Sequence, residues 1–266
     1  HNQVEIVRNP LRNESSRYAM DFDDLEAKLS DPAVKLAILC SPHNPVGRVW
    51  TADELRRFGE LCLARGVPVV ADEIHGDLIL PGQHFTPFAT LSEAVAQNMI
   101  VCTAPSKTFN LAGLKTANLL IPNPELRRRF AQTQERSGLF GVNAFGLAAT
   151  EAAYTQGEEW LDQMLAYLDG NRRSLEVFVA QHLPQIAVSP LEGTYLAWLD
   201  CRGLGLEAGE LKRMLLDEAR VYPDHGPRFG VEGHGFIRLN IACPRSILIE
   251  ALECIQNAVE GLAHAP

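Results

Sequence analysis

Three polar side chains that could do chemistry each come shortly after a short apolar run. Asn44 follows VKLAILC, Asp72 follows VPVVA, and Lys107 follows MIVCT. If these runs are parallel strands, their carboxyl ends meet at the same edge of one sheet, which is where open α/β sheets bind ligands. An amide, a carboxylate and a primary amine would then share that edge. A lysine amine can form a Schiff base with a carbonyl group, so this set could support covalent catalysis.

Each of the three residues also has an ordinary explanation. Asn44 can be a turn residue in SPHNP, and Asp72 can be a helix cap. A lysine directly after an apolar strand is commonly a loop charge. Lys107 stands out because the chain has only five lysines, at positions 28, 35, 107, 115 and 212.

The elements that must position these residues alternate along the chain. Apolar runs that do not alternate with polar residues, separated by helical patterns, predict an α/β fold with a mostly parallel sheet and helices on both faces. Predicted strands cover residues 4–7, 34–40, 67–71, 99–103 and 116–121. Predicted helices cover residues 21–29, 51–65, 122–138, 143–156 and 158–182. The helix from 51 opens with TADE, a capping-box signature, and ends at Gly66.

The pattern changes after Pro190, where short strands and helices alternate. Strands are predicted at 194–199 and 235–240, and helices at 208–219 and 246–262. This pattern indicates a smaller α+β domain. We therefore predict a large domain over residues 1–157, a linking helix over 158–182 and a small C-terminal domain over 183–266.

Composition excludes several classes of protein. The 266 residues are 46% hydrophobic and 21% charged, with a net charge of −9, which are ordinary globular values. The acidic balance argues against a nucleic-acid partner, and no apolar stretch is long enough to cross a membrane. The six cysteines show no CxxC spacing, so we expect buried thiols, no metal site and a cytoplasmic location.

Taken together, the motifs resemble the pyridoxal-phosphate enzymes of fold type I, the class I/II aminotransferase family. The turn NPVG at 44–47, the pair Asp72-Glu73 and the pair Ser106-Lys107 occur in that family's order. The resemblance covers nearly the whole chain and is closest to the branch of carbon–sulfur β-lyases similar to cystathionine β-lyase. The stretches that carry it are SPHNPVGRVWTADEL, VVADEIHGDLIL, APSKTFNLAGL, GTYLAWLD and GFIRLNIACPR.

The resemblance implies a role for each residue of the cofactor site. Lys107 would form the internal Schiff base and then move protons, and Asp72 would bind the pyridine nitrogen. Asn44 would donate a hydrogen bond to the ring 3-oxygen. His75 occupies a position where many relatives have a tyrosine near that oxygen, and it either takes over this part or only packs. The groups nearest to the phosphate would be Thr103, Ser106 and Lys115.

For the substrate, the resemblance implies that Arg238 clamps the α-carboxylate, because a planar guanidinium matches a carboxylate with two parallel hydrogen bonds. The alternative for Arg238 is a surface salt bridge at a strand edge. Tyr195 would lie near the substrate, although an aromatic residue in a strand is more often part of a core.

The chain departs from the family pattern in three ways. Ala104 stands where many relatives have a phosphate-binding serine, and Lys115 stands where an arginine is frequent. The third departure is an N-terminal portion with a phosphate-binding turn and a stacking aromatic residue, which has no counterpart here. We therefore expect a fragment of roughly two thirds of an enzyme, with weak cofactor binding on its own. The full-length protein is expected to be a homodimer.

The implied reaction is β-elimination from cystathionine or a cysteine conjugate, which yields a thiol, pyruvate and ammonia. An aminotransferase would use nearly the same residues, so that alternative stays open. A regulatory aminotransferase-like module and an inactive fragment are further alternatives.

Overall fold

The computed structural model describes residues 3–139 and 141–262. They divide into two compact units. The first unit contains the chain up to Arg12, Ala19–Pro42 and Val49–Asp162, and the second contains Asn13–Tyr18, His43–Arg48 and the chain from Gln163 onward. The predicted domain ranges stay a prediction.

The first strands along the described residues are β1 (Arg12–Glu14) and β2 (Arg17–Ala19), which pair in a two-stranded sheet. The predicted strand at residues 4–7 is wrong, since residues 3–11 have no regular secondary structure and Val4 and Ile6 are exposed. Apolar residues alone do not make a strand, because a strand also needs a neighbour that accepts and donates its backbone hydrogen bonds.

The first unit contains a four-stranded sheet. Its elements are α1 (Phe22–Leu29), β3 (Ala37–Cys40), α2 (Ala52–Ala64), β4 (Val69–Asp72), α3 (Glu93–Ala96), β5 (Met99–Thr103), α4 (Pro105–Thr108), β6 (Asn118–Leu120), α5 (Pro124–Arg136) and α6 (Ala144–Gln156). The strand order is β3-β4-β5-β6. β3, β4 and β5 are parallel and β6 is antiparallel to β5, so the predicted mostly parallel sheet is confirmed.

Local signals explain where the helices of this unit begin. The Thr51 side chain accepts a hydrogen bond from the backbone of Glu54 at 3.2 Å, and the Glu54 carboxylate accepts one from the backbone of Thr51 at 2.8 Å. This is the predicted capping box. Asp21 and Asn143 cap α1 and α6 in a similar way.

Apolar side chains of the helices and of alternate strand positions form the core of the first unit. They include Leu25, Leu29, Leu39, Leu55, Phe58, Cys62, Val69, Ala71, Met99 and Val101. This core holds the middle strands rigidly, so the residues that follow them start from fixed positions.

The long helix α7 (Glu158–His182) runs from the first unit into the second. The second unit then contains β7 (Ala187–Val188), β8 (Leu196–Asp200), α8 (Ala208–Arg213), which continues as a π-helix over Met214–Glu218, β9 (Asp224–His225), β10 (Phe236–Asn240) and α9 (Arg245–Leu262). Its sheet is antiparallel, with the order β7-β8-β10-β9. None of the helices in the described ranges is long and apolar enough to cross a membrane.

Candidate active site

In the first unit, Asp72 ends the strand β4 between two parallel neighbours. Asp72 lies beside Cys40 of β3 and beside Cys102 of β5 in the sheet register. The Ser41 backbone N–H donates to the Asp72 carbonyl at 3.0 Å, and Thr103 follows Cys102. The structure therefore brings Ser41, Asp72 and Thr103 together at one carboxyl edge of the sheet.

The Asp72 carboxylate is half-buried and retains capacity to accept hydrogen bonds. Within the described ranges, one hydrogen bond reaches it, from the Ile74 backbone N–H to Oδ1 at 3.3 Å. An ionised carboxylate can accept about four hydrogen bonds. Asp72 can therefore receive a hydrogen bond from a ligand at this edge.

Lys107 lies on the short helix α4, which begins directly after β5 and opens with Pro105. The lysine is half-buried, and no ion pair in the part of the chain that the structure describes involves it. A loop charge would be expected to lie exposed in solvent. The position of Lys107 thus suits an amine held at the same strand edge as Asp72.

The turn that carries Lys107 is held by a cluster that the sequence did not indicate. Thr108 donates from Oγ1 to the Asp77 carboxylate at 2.8 Å. Burial, the negative charge of Asp77 and a hydrogen bond with Asp77 together raise the pKa of Tyr154 to about 12. Phe109 packs edge-on against Tyr154, with 5.6 Å between ring centroids. Asp77 and Tyr154 therefore fix the residues on the C-terminal side of Lys107.

Asp72 and Glu73 are neighbours with different environments. Glu73 is buried, and its Oε1 accepts the Phe88 backbone N–H at 2.7 Å. Burial raises the pKa of Glu73 to about 7, against the lowering effect of that hydrogen bond. Glu73 thus holds the loop that contains Phe88, whereas Asp72 lies at the ligand edge.

The remaining predicted cofactor residues of the first unit differ in exposure. His75 is 2% exposed, and Thr103 and Ser106 are half-buried. Thr103 Oγ1 accepts from the Asn118 side chain at 3.4 Å. Lys115 is exposed and has a left-handed backbone, with φ of 51°. The predicted roles of these four residues stay predictions.

In the second unit, Asn44 lies in a tight loop. The His43 backbone N–H donates to the Arg48 carbonyl and the Gly47 N–H donates to the His43 carbonyl, both at 2.8 Å. Gly47 has φ of +74°, and a Cβ there would lie 2.5 Å from Leu191 Cδ1, so glycine is required. Burial and the charge of Arg48 lower the pKa of His43 to about 4, which keeps His43 neutral.

A buried ion pair braces this loop. Arg48 is 2% exposed and donates from Nε to Glu192 at 2.9 Å and from Nη1 to the Tyr18 carbonyl at 2.5 Å. The Glu192 backbone N–H in turn donates to the Gly47 carbonyl at 2.9 Å. The loop that carries Asn44 is therefore tied to two other segments of the same unit.

Arg238 lies on β10, an interior strand of the second sheet. It donates from Nη1 to Asn44 Oδ1 at 2.7 Å and from Nε to Asp224 Oδ2 at 3.2 Å, and its Nη2 also contacts Asp224. The side chain is only 16% exposed. Arg238 thus forms a salt bridge with Asp224, but it is largely buried on an interior strand and is not the surface salt bridge at a strand edge that was the alternative. The contact with Asn44 also joins the two residues predicted to bind substrate and cofactor.

Tyr195 is half-buried and precedes β8. Burial raises the pKa of Tyr195, and the positive charge of Arg238 opposes this shift. The charge of Arg238 is therefore close enough to act on the Tyr195 phenol. Its role toward the substrate stays a prediction.

Sequence reasoning missed Asp224, although it contacts Arg238 directly. Asp224 lies in VYPDHGP, which contains no recognisable motif. The contact depends on the pairing of β9 with β10, so no signal within that segment could have revealed it.

The residues of the first unit fit pyridoxal phosphate. Ser41 Oγ is buried and has no hydrogen-bond partner among the described residues, although an unsatisfied buried hydroxyl costs free energy. This hydroxyl lies at the strand edge that carries Asp72. A lysine amine, a carboxylate with free acceptor capacity and a buried hydroxyl are the donor and acceptor types that a phosphorylated pyridine aldehyde requires.

Known proteins resemble this chain over nearly its full length. The cystathionine beta-lyase PatB of Bacillus subtilis is 45% identical over 97% of this chain and 67% of that protein. The protein MalY of Escherichia coli is 34% identical over 98% of this chain and 66% of that protein. The chain thus spans about two thirds of the length of the curated relatives it matches.

Solved structures agree with these relatives. Cystalysin from Treponema denticola, whose crystal structure contains pyridoxal 5'-phosphate, matches 97% of this chain and 66% of its own, with a TM-score of 0.95 and 37% identity. The pyridoxal-phosphate-bound C–S lyase from Staphylococcus hominis matches 97% of this chain and 66% of its own, with a TM-score of 0.88 and 35% identity. The predicted fold type is thereby confirmed.

A family model described as aminotransferase class I and II matches residues 1–255. The family model, the relatives and the strand-edge arrangement of Asp72 and Lys107 agree, and the chain belongs to the class I and II aminotransferases, a family that depends on pyridoxal phosphate.

Proposed function

We propose that the whole protein is a carbon–sulfur β-lyase that converts cystathionine or a cysteine conjugate into a thiol, pyruvate and ammonia. The observation that carries the proposal is the 45% identity to a cystathionine beta-lyase over 97% of the chain. Among the curated relatives, two that are named as aminotransferases are more distant, at 26% and 25% identity, while a solved structure described as a putative aminotransferase from Clostridium difficile is 42% identical. The lyase is therefore preferred over the aminotransferase, which has nearly the same set of residues.

Pyridoxal phosphate supplies an aldehyde for covalent attachment and a ring that withdraws electrons from the substrate α-carbon. Lys107 would hold the cofactor through its Nζ and would afterwards accept the substrate α-proton on the same nitrogen. The Asp72 carboxylate would accept a hydrogen bond from the ring nitrogen and so favour the protonated form of that nitrogen. The half-buried positions of both side chains support these roles.

Arg238 binds the substrate α-carboxylate in this proposal. Its guanidinium is already oriented by Asn44 and Asp224, so little side-chain entropy is lost when a carboxylate arrives. Asn44 accepts a hydrogen bond from Arg238 on its amide oxygen, and an amide nitrogen is a donor of the type that the ring oxygen of the cofactor would accept.

We further propose a cytoplasmic homodimer. None of the six cysteines forms a disulfide within the described residues, which supports a reducing compartment. The helix α6 supports an association surface, since Phe145 is 80% exposed and Leu147 is 57% exposed. Sedimentation equilibrium of the wild-type protein and of Phe145→Asp tests this, and a wild-type monomer would contradict it.

The experiment for the lyase follows absorbance as pyridoxal phosphate and then L-cystathionine are added, with pyruvate measured at the end. Lys107→Ala is expected to lose both the absorbance band and pyruvate release. Lys35→Ala is the matched control, because Lys35 is exposed and lies outside the site. Undiminished pyruvate release by Lys107→Ala would overturn the proposal. Amino transfer to a keto acid without pyruvate would assign the protein as an aminotransferase instead.

A further inference from the structure

Asp224 and Arg238 form a cross-strand pair in the second unit. They lie directly opposite each other in the antiparallel pairing of β9 with β10. The Asp224 Oδ2 accepts from Arg238 Nε at 3.2 Å and also contacts Nη2, while Oδ1 accepts from Arg228 Nη1 at 2.7 Å. The two oxygens of this carboxylate thus have different partners.

The hydrogen bonds of Arg238 leave one edge of its guanidinium for a further carboxylate. The edge formed by Nε and Nη2 is taken by Asp224, and one N–H of Nη1 is taken by Asn44. Nη1 and Nη2 each carry a second N–H. A guanidinium binds carboxylates through two parallel N–H groups, so the remaining groups can form a second fork.

The surrounding loop holds this arrangement. The Phe229 ring lies 4.7 Å from the Arg238 guanidinium carbon, and it packs edge-on against Trp198. A Cβ on Gly226 would lie 1.9 Å from the Gly233 carbonyl oxygen. The backbone at Gly226 and the backbone at Gly233 can therefore approach this closely only because both residues are glycine. The loop between β9 and β10 therefore presents Phe229 to Arg238 in a defined position.

The ionised state of Asp224 is favoured by the same contacts. Burial alone raises the pKa of Asp224, but the hydrogen bond from Arg238 and the charges of Arg238 and Arg228 outweigh it and lower the pKa. A negative oxygen thus remains against the Nε edge throughout the neutral pH range.

We propose that Asp224 is a positioning residue for substrate recognition, which holds Arg238 by its Nε/Nη2 edge so that the Nη1/Nη2 edge meets the α-carboxylate of the amino-acid substrate. This proposal rests on the proposed function, in which Arg238 binds that carboxylate. Asp224 does not contact the substrate. It determines the direction in which the fork of Arg238 points.

The test compares Asp224→Ala and Asp224→Asn with the wild-type holoenzyme. Asp224→Ala is expected to raise KM for L-cystathionine about tenfold and to change kcat less than about threefold, because the lost charged hydrogen bond orients the binding group only. Asp224→Asn keeps one acceptor oxygen and is expected to show a smaller rise in KM. A lower KM in Asp224→Ala would show that Asp224 competes with the substrate for Arg238, and it would overturn the proposal, as would an unchanged KM.

Asp200→Ala is the matched control. Asp200 accepts from Arg202 Nε at 2.9 Å and from Nη2 at 2.6 Å, and Arg202 lies over the Phe236 ring, so the same kind of pair exists elsewhere in this unit. Its loss is expected to leave KM unchanged. Circular dichroism melting of all variants verifies that they fold.

A second readout separates recognition from general structural damage. The ligand concentration that gives half of the maximal absorbance change is measured for an α-amino acid and for its α-amide, which lacks the carboxylate. Asp224→Ala is expected to weaken binding of the acid and to leave binding of the amide unchanged. Equal weakening of both would overturn the positioning role.

The two proposals fail in different ways. A wild-type protein that shows the absorbance titration but releases no pyruvate would overturn the lyase and leave the role of Asp224 intact. If the wild-type protein releases pyruvate and Asp224→Ala has the same KM as the wild-type protein, the lyase would stand and the role of Asp224 would be overturned. The Arg238 Nε–H signal in ¹⁵N NMR provides a readout that needs no cofactor, because it is expected to lose its protection from exchange in Asp224→Ala, and an unaltered signal would overturn the proposal.

Discussion

Arg238 donates a hydrogen bond from Nη1 to Oδ1 of Asn44 over 2.7 Å, although the two residues are 194 positions apart in the chain. The contact lies within the second unit, to which the loop His43–Arg48 belongs. It links the residue proposed for the substrate carboxylate with the residue proposed for the cofactor ring. A change in one of them should therefore affect the binding function of the other.

Asn44→Ala is expected to raise KM for the amino-acid substrate about tenfold, because a hydrogen bond to a charged group contributes roughly 1.5–3 kcal/mol. The loss of the acceptor lets the Nη1 end of Arg238 turn away. Steady-state kinetics measure the effect, and Asn240→Ala, on the same strand as Arg238, is the control. A KM equal to that of the wild-type protein would show that Asn44 does not orient Arg238.

The raised pKa of Glu73 predicts that the stability of the protein depends on pH. Burial raises the pKa of Glu73 to about 7 from an ordinary value of 4.5, so the folded protein retains this proton over a pH range in which the unfolded chain has lost it. The free energy of unfolding should fall as pH rises from 4.5 to 7, by at most about 3 kcal/mol from this group.

The Glu73 prediction is tested by urea denaturation at pH 5 and pH 7.5. Glu73→Gln keeps an oxygen to accept the Phe88 N–H and removes the titration, so it should show a smaller loss of stability than the wild-type protein between these pH values. Glu253→Gln is the control, since Glu253 is exposed. Parallel curves for wild-type protein and Glu73→Gln would refute the raised pKa.

Asp77→Asn is expected to lower the pKa of Tyr154, because it removes a negative charge and a hydrogen bond that favour the neutral phenol. It should also reduce kcat by about tenfold, since Thr108 loses a charged acceptor next to Lys107 and a misplaced catalytic group slows the reaction. ¹³C NMR of labelled tyrosine measures the pKa. Asp53→Asn, on the exposed face of α2, should change neither quantity, and a Tyr154 pKa that stays at its wild-type value in Asp77→Asn would contradict the assignment.

Much of this protein could be predicted from local sequence patterns. The strand Met99–Thr103 and the helix Glu158–His182 have the predicted bounds, and the TADE segment forms the predicted capping box. These features depend on hydrophobic periodicity and on hydrogen bonds between residues three positions apart, and both can be read from neighbouring residues. The placement of Asp72 at the end of a parallel strand follows from the same patterns.

Other features depended on contacts that no local pattern encodes. Residues 4–7 have the composition of a strand but form no regular secondary structure with any other part of the described ranges. Asp224 reaches Arg238 only because β9 and β10 pair in a particular register, and Asn44 reaches Arg238 only because its loop packs with the second unit. The local sequence therefore determined which residues were available for chemistry and where most strands and helices lie, whereas the long-range packing decided which side chains meet, because partners far apart in the chain are selected by the folded backbone.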